Sequence, residues 1–311
     1  MDPQLFFITG KGGVGKTTVA AALGAQAARD GQRVLIVEFS ADRSLAALFG
    51  KRELKQEPTQ LAPRLFGVRV EQRALVEDYF NRLLRLQFLT RRLFASNTFN
   101  AVTTAAPGVL EFLTLEHLTQ WLDAGIFNRK RPYDMILIDG PATGHALRLL
   151  RTPRQIATMV PGGPIGSAAR KLLALLADHA RTHVLLVTIA DEMSVNETIE
   201  AHAAVADDLC LDLTRPVLNR VFPRRFNRDD QQMVQSLGAR HPHDALLAAA
   251  RVQIAARHDA ERHISRLRRA FGTLPISIRQ VCADGLGREH VEQIGHTLVR
   301  GLFHHGNGNV D

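Results

Sequence analysis

The sequence predicts an α/β fold, a mostly parallel sheet flanked by helices. Three observations carry that expectation: short apolar β-like runs alternate with helix-like runs, a glycine-rich junction follows the first run, and an acid closes a later one. Such alternation implies right-handed βαβ units, with ligand-binding residues at the carboxyl ends of the strands. The first strand falls at Gln4–Ile8, whose Leu-Phe-Phe-Ile core suits a strand buried on both faces. A helix is expected at Thr17–Arg29, alanine-rich with Val19, Leu23 and Ala27 on one side. Arg33–Val37, Tyr133–Asp139, His183–Thr188 and Arg215–Asn219 are the next strand-like runs.

Residues 51–130 interrupt the alternation. Lys51 to Pro63 is polar and contains prolines, and Val68-Arg69-Val70 reads as a short return to the sheet. From 72 to 127 the pattern turns helical, with apolar stripes at Leu83, Leu84, Phe88, Leu89, Leu93 and Phe94, then at Val109, Leu110, Leu113, Leu115, Leu118 and Leu122. This predicts a helical insertion subdomain inside one domain spanning 1–311. A second, arginine-rich helical stretch over about 224–270 precedes Leu274-Pro275-Ile276.

The 311 residues, 45% hydrophobic and 23% charged, are enough for a sizeable buried core. No apolar run approaches the roughly 20 residues that cross a bilayer, and no basic-then-apolar leader precedes the first strand. Cytoplasmic residence with no integral membrane segment is the expectation. The net charge of +8 is mostly arginine, but no nucleic-acid motif accompanies it and aromatics are only 6%, so solvated helix faces account for it and no specific nucleic acid is expected. Cys210 and Cys282 form no C-x-x-C and are read as packing residues.

The junction "GKGGVGKTT", Gly10 to Thr18, carries the chemistry. Gly10, Gly15, Lys16 and Thr17 complete the G-x-x-x-x-G-K-[ST] pattern of a P-loop NTPase. Glycines at 10, 12, 13 and 15 let successive N–H groups, Val14's included, turn inward on an anion, and the following helix adds its positive end. Lys16 would reach the β- and γ-phosphates, and Thr17, followed by Thr18, would offer a hydroxyl to Mg²⁺. Asp139, at the end of its strand, is placed to hold Mg²⁺ directly or through water, and Gly140 and Gly144 would let the next loop move.

The early lysine in G-K-G-G-x-G-K-T-T resembles the deviant P-loop of the ArsA/Get3 family, anion-transporting-type ATPases of the wider MinD and NifH group. The stretch "DGPATGHALRLL", 139–150, is similar to the switch II sequence of that family, with Thr143, Gly144 and His145 as its diagnostic part. The resemblance covers nearly the whole chain, strongest at 5–50, 133–151 and 183–222. It implies ATP as ligand with Mg²⁺, Lys11 crossing to phosphates held by a partner subunit, and His145 as a coupling residue. A solvated loop lysine and a surface histidine are the plainer alternatives for those two positions. One P-loop in the chain implies a dimer, with itself or with a paralogue. Asn219 resembles the asparagine that reads adenine in the family, the alternative being a strand-end turn residue. No N-K-x-D stretch signals guanine.

At the third station the chain departs from the pattern. Ser40 stands where the family has an aspartate that orients the attacking water. A hydroxyl cannot take a proton from water at neutral pH as a carboxylate can. Glu38 or Asp42 can substitute, the former favoured by similarity to bacterial relatives, or hydrolysis is weak or absent. Two activities therefore stay open: an ATP-hydrolysing dimeric switch serving a hydrophobic-helix or membrane-protein client, and a non-hydrolysing regulatory subunit of a heterodimer. An oxyanion-pump motor is disfavoured, because neither cysteine matches the arsenite-binding ones.

Overall fold

The computed structural model describes residues 4–39, 44–70, 108–123, 133–282 and 286–303. Eight strands form one sheet in the order β3-β4-β2-β5-β1-β6-β7-β8. They are β1 (Gln4–Thr9), β2 (Val34–Glu38), β3 (Thr59–Ala62), β4 (Leu65–Arg69), β5 (Met135–Asp139), β6 (Thr182–Ile189), β7 (Val217–Val221) and β8 (Ile276–Arg279). Every pairing is parallel except β3 against β4, which confirms the expected α/β class. Strand β1 lies between β5 and β6, and Glu38 of β2 sits level with Asp139 of β5.

The central strands are apolar on both sides because helices cover both faces. Leu5 and Phe7 face one layer with Leu35, Val37, Ile136 and Ile138. Phe6 and Ile8 face the other with Val34, Ile36 and Leu137. On the second face lie α1 (Lys16–Arg29) and, at the chain's far end, α9 (Arg288–Phe303). Alanines 20, 21 and 22 of α1 are fully buried, and the two helices meet so closely that a Cβ on Gly295 would lie 2.4 Å from the Ala22 carbonyl oxygen. Small residues here serve close approach, not flexibility.

The first face is covered by α3 (Val109–Asp123), α4 (Thr143–Met159) and α5 (Gly163–Leu176); a one-turn α2 (Ser44–Leu48) follows β2. Of the expected insertion, α3 alone lies among the described residues, and its Leu113, Leu115 and Leu118 are buried as the stripe predicted. The first stripe, 83–94, lies outside them, as do Ser40 and Asp42.

Beyond β6 come α6 (Glu192–Ala203), a π-helical turn (Ala204–Leu209), α7 (Arg228–Arg240) and α8 (Ala245–Phe271). The arginine-rich stretch is thus helical in two pieces. Asn227 and Asp230 form a reciprocal capping box on α7, Asp244 caps α8, and Pro242 lies in the turn between them. Strand β3, helix α5 and the π turn go beyond the sequence expectation. Both cysteines correct it: Cys210 and Cys282 are exposed free thiols, Cys210 closing the π turn in a left-handed conformation with φ 53°. Among the described residues no helix is long and apolar enough to cross a membrane.

The α1–α9 contact yields a stability prediction. Gly295→Val drives a branched side chain into helix backbone, and overpacking of this kind costs about 1–3 kcal/mol. Urea unfolding is expected to show a lowered midpoint with an unchanged slope; an unchanged midpoint would show that the two helices can part without cost.

Candidate nucleotide-binding site

The β1–α1 junction folds as a tight loop over the sheet's carboxyl edge. Gly10 has φ 152°, and a Cβ there would lie 2.0 Å from the Val187 carbonyl oxygen of β6, so no side chain fits. Gly15, the N-cap of α1, is left-handed at φ 95°, and a Cβ would collide with the Asn219 amide nitrogen at 2.3 Å. Gly12 and Gly13 are exposed, with nothing within 4 Å of the position a Cβ would occupy, and Gly13 is left-handed at φ 81°. Val14 is fully buried and anchors the loop from beneath. Gly10 and Gly15 are therefore required by packing and Gly13 by its backbone conformation, while the space beside Gly12 is open.

Lys16 curls back over this loop. Its Nζ donates to the carbonyl oxygens of Gly10 and Lys11, each at 3.1 Å. Burial lowers the Lys16 pKa, against the pull of the negative charges of Asp139 and Glu197. Helix α1 has no side-chain cap and no acid in its first turn, so its leading N–H groups and its dipole are left for an anion. Thr18 sits half-buried in the same turn.

Thr17 reaches across 122 residues of sequence: its Oγ1 donates to Asp139 Oδ2 at 2.7 Å. Asp139 is 3% exposed, and burial pushes its carboxyl up to about 6 from 3.8; the Thr17 bond opposes that, the Glu38 charge adds to it, and Lys16 draws it down. Glu38 is 1% exposed at the end of the neighbouring strand, and its Oε1 accepts from the Leu45 N–H at 3.3 Å. The structure thus gathers Lys16, Thr17, Glu38 and Asp139 at one junction.

The loop after β5 begins at Gly140, where a Cβ would lie 2.7 Å from the Ile8 carbonyl oxygen. Thr9 Oγ1 donates to the Pro141 carbonyl at 2.9 Å and holds this loop to β1. Thr143 opens α4 with its Oγ1 buried and without a hydrogen-bond partner; Gly144 and His145 follow, both exposed. Asn219, 6% exposed, donates from Nδ2 to the Val14 carbonyl at 2.9 Å and accepts the Arg220 N–H at 2.9 Å. It braces the phosphate loop, which the sequence did not suggest, and one N–H and one lone pair of the amide remain.

Three residues near the site escaped the sequence reading. Thr9 ties the two loops together, Glu197 acts on Lys16, and Asp191 caps α6 through the Ser194 N–H at 2.8 Å and hydroxyl at 2.7 Å. Partial burial would raise Asp191, but those Ser194 bonds, with the Lys11 charge, hold it below its usual value. The Asp-x-x-Ser spacing after a strand is a helix-start signal that would have found it.

Fold and junction together define a P-loop NTPase. The family model for anion-transporting ATPases matches residues 3–161, just over half of the chain, and the chain belongs to that family. Over 232 residues it is 28% identical to ATPase BagA of Mycobacterium tuberculosis, covering 73% of this chain and 68% of the relative. An arsenical pump-driving ATPase of Acidiphilium multivorum is 25% identical over 321 residues, and one of Escherichia coli is 23% identical over 319; each match takes in 97% of this chain. The chain spans about half the length of those two pump ATPases, 49% in each case. Family and relatives support ATP binding and hydrolysis as the general activity.

The raised Asp139 pKa sets a pH prediction. Between about 4 and 6 the folded state holds a proton that the unfolded chain has lost, so nucleotide-free stability falls as pH rises through that window and stays lower above it. Asp139→Asn keeps an acceptor for Thr17 and removes the buried charge. It is expected to flatten the fall and to stabilise the nucleotide-free protein at pH 7 by up to about 3 kcal/mol. Thermal melts of the two proteins from pH 4 to 8 decide it; equal melting at pH 7 would show that the carboxylate is not strained.

Proposed function

We propose that this chain is an ATP-hydrolysing, Mg²⁺-dependent dimeric switch whose nucleotide state is relayed to a helical surface that engages a client. The observation that carries the reading is the Thr17–Asp139 hydrogen bond beside Lys16 and Glu38. It joins the start of the phosphate-loop helix to a strand end, the two places where hydroxyl and carboxylate ligands of a nucleotide-bound cation are needed.

The residues present fit both groups. The loop is open on its outer side at Gly12 and Gly13, and the α1 N-terminus is uncapped. Thr17 and Asp139 are hard oxygen donors suited to Mg²⁺. Among the described residues no three His, Cys, Asp or Glu side chains converge on a metal, so phosphate oxygens and water would complete the shell. Bound Mg²⁺ would offset the charge of the triphosphate and of Asp139.

The chain's own groups then divide the work. The N–H groups of residues 12 to 17 hold phosphate oxygens, and Lys16 leaves its two carbonyl acceptors for the β- and γ-phosphates. Glu38 accepts a proton of the attacking water and orients it, the part that Ser40 cannot play. Lys11, beside Asp191, reaches the phosphates of a second subunit. Asn219 offers its remaining N–H and lone pair to the adenine edge. Loss of the γ-phosphate is sensed at Gly140 and Thr143, and α4 carries the change to α3, because Thr152 of α4 packs against Gly108 at the start of α3.

Steady-state ATP turnover with light scattering tests this. Lys16→Ala is expected to lose at least about a hundredfold in turnover together with ATP-dependent dimerisation. Glu38→Gln should lose about 10²–10⁴-fold while still binding ATP and dimerising. Wild-type turnover by Lys16→Ala would overturn the phosphate assignment, and wild-type turnover by Glu38→Gln would overturn the role of that carboxylate. An ATP-bound wild type with no turnover would mark a non-hydrolysing subunit instead.

A further inference from the structure

A cavity of about 520 Å³ opens at the other end of the sheet, where β1, β6 and β7 begin rather than end. It is lined by Gln4, His183 and Arg215 from those strand starts, far along each strand from Thr9, Ile189 and Asn219 at the phosphate end. Its volume lies in the range of small-molecule sites.

The walls are aromatic and come from separate elements. Phe6 of β1 stacks obliquely on the His183 ring at a centroid distance of 4.9 Å and meets Phe303 of α9 edge-on at 6.1 Å. Phe271, at the end of α8, leans on the His202 ring at 4.1 Å. Between these rings the polar groups are fixed. His183 Nδ1 lies 2.6 Å from Asp212 Oδ2, a contact that holds that carboxylate against the imidazole.

Arg215 is the exception. Its Nε donates to the Leu274 carbonyl at 2.9 Å and its Nη1 to the Gly301 carbonyl in the last turn of α9 at 3.1 Å. Two donors thus lock the guanidinium in place. Its other three N–H groups have no acceptor among the described residues. A guanidinium held rigid by carbonyls, on the wall of a ring-lined cavity, is preorganised for a planar anion.

We propose that this cavity is a second ligand site, separate from the nucleotide site, that binds a small aromatic carboxylate. The ring of such a ligand packs against Phe271, Phe303 and the His183 ring that Phe6 backs, and its carboxylate takes the unused N–H groups of Arg215. Neither half of the chemistry is supplied by the phosphate loop, so occupancy of the two sites is independent in space.

Benzoate is the probe, with benzamide as its neutral counterpart, followed by saturation-transfer NMR and calorimetry on the full chain. Expected are saturable one-to-one binding of benzoate at millimolar concentration or below, and at least tenfold weaker binding of benzamide. Arg215→Gln should lose at least tenfold for benzoate, and Thr273→Trp, which puts an indole on the cavity lining, should abolish binding. Benzoate binding should persist unchanged in Lys16→Ala and under saturating ATP. Absence of saturable binding, equal affinity for benzamide, displacement by ATP, or full binding by Thr273→Trp would each overturn the proposal. If Arg215→Gln fails to fold, the benzamide comparison and Thr273→Trp decide.

Discussion

Glu38 and Asp139 end neighbouring parallel strands at the same level, so two carboxylates lie close together out of water, with the half-buried Lys16 ammonium acting on Asp139. Burial out of water raises the proton affinity of Asp139, and the neighbouring Glu38 charge adds to that strain. The Thr17 hydroxyl relieves it in part and Lys16 somewhat less, because Lys16 is itself desolvated and bonded to its own loop. The remainder of the architecture serves to keep these groups where they are. Phe6, Ile8 and the alanines of α1 fix the loop from one face, while Ile136 and Ile138 fix the end of β5 from the other.

Such a site is better suited to a cation and a polyanion together than to either separately. A bare triphosphate would meet two carboxylates, and a bare cation would find one hydroxyl and one carboxylate on the protein. A cation and a triphosphate bound together would complete each other's charge at such a site. It also explains why Asn219 is buried at the back of the loop. By holding the Val14 carbonyl it keeps the peptide planes of the loop turned so that N–H groups, not oxygens, face outward.

The junction was legible in the sequence because its glycines, lysine and threonine each answer a local geometric demand. Gly10 and Gly15 are dictated by contacts with Val187 and Asn219, and the strand-terminal acid follows from an apolar run that ends abruptly. The parallel sheet was legible for the same reason, since strands buried on both faces show no alternation to confuse. Less could be read where function depends on residues far apart in sequence. The bracing bond of Asn219 spans 205 positions, and the influence of Glu197 on Lys16 has no local signature. Strand β3 was hidden because Thr59-Gln60-Leu61-Ala62 is half polar, as befits an edge with one side in water. Exposed Cys210 was misjudged because a small apolar residue type says little about a position fixed by a left-handed turn.

The sheet's two margins have a consequence of their own. Both outermost strands, β3 and β8, are only four residues long, and each of the two ladders that join them to the sheet is broken by a register shift. So short and uneven a rim offers few unpaired amides in line, and a stray strand from another molecule would gain little by zipping onto it. Among the described strands, the brevity of these borders is itself a guard against edge-to-edge growth.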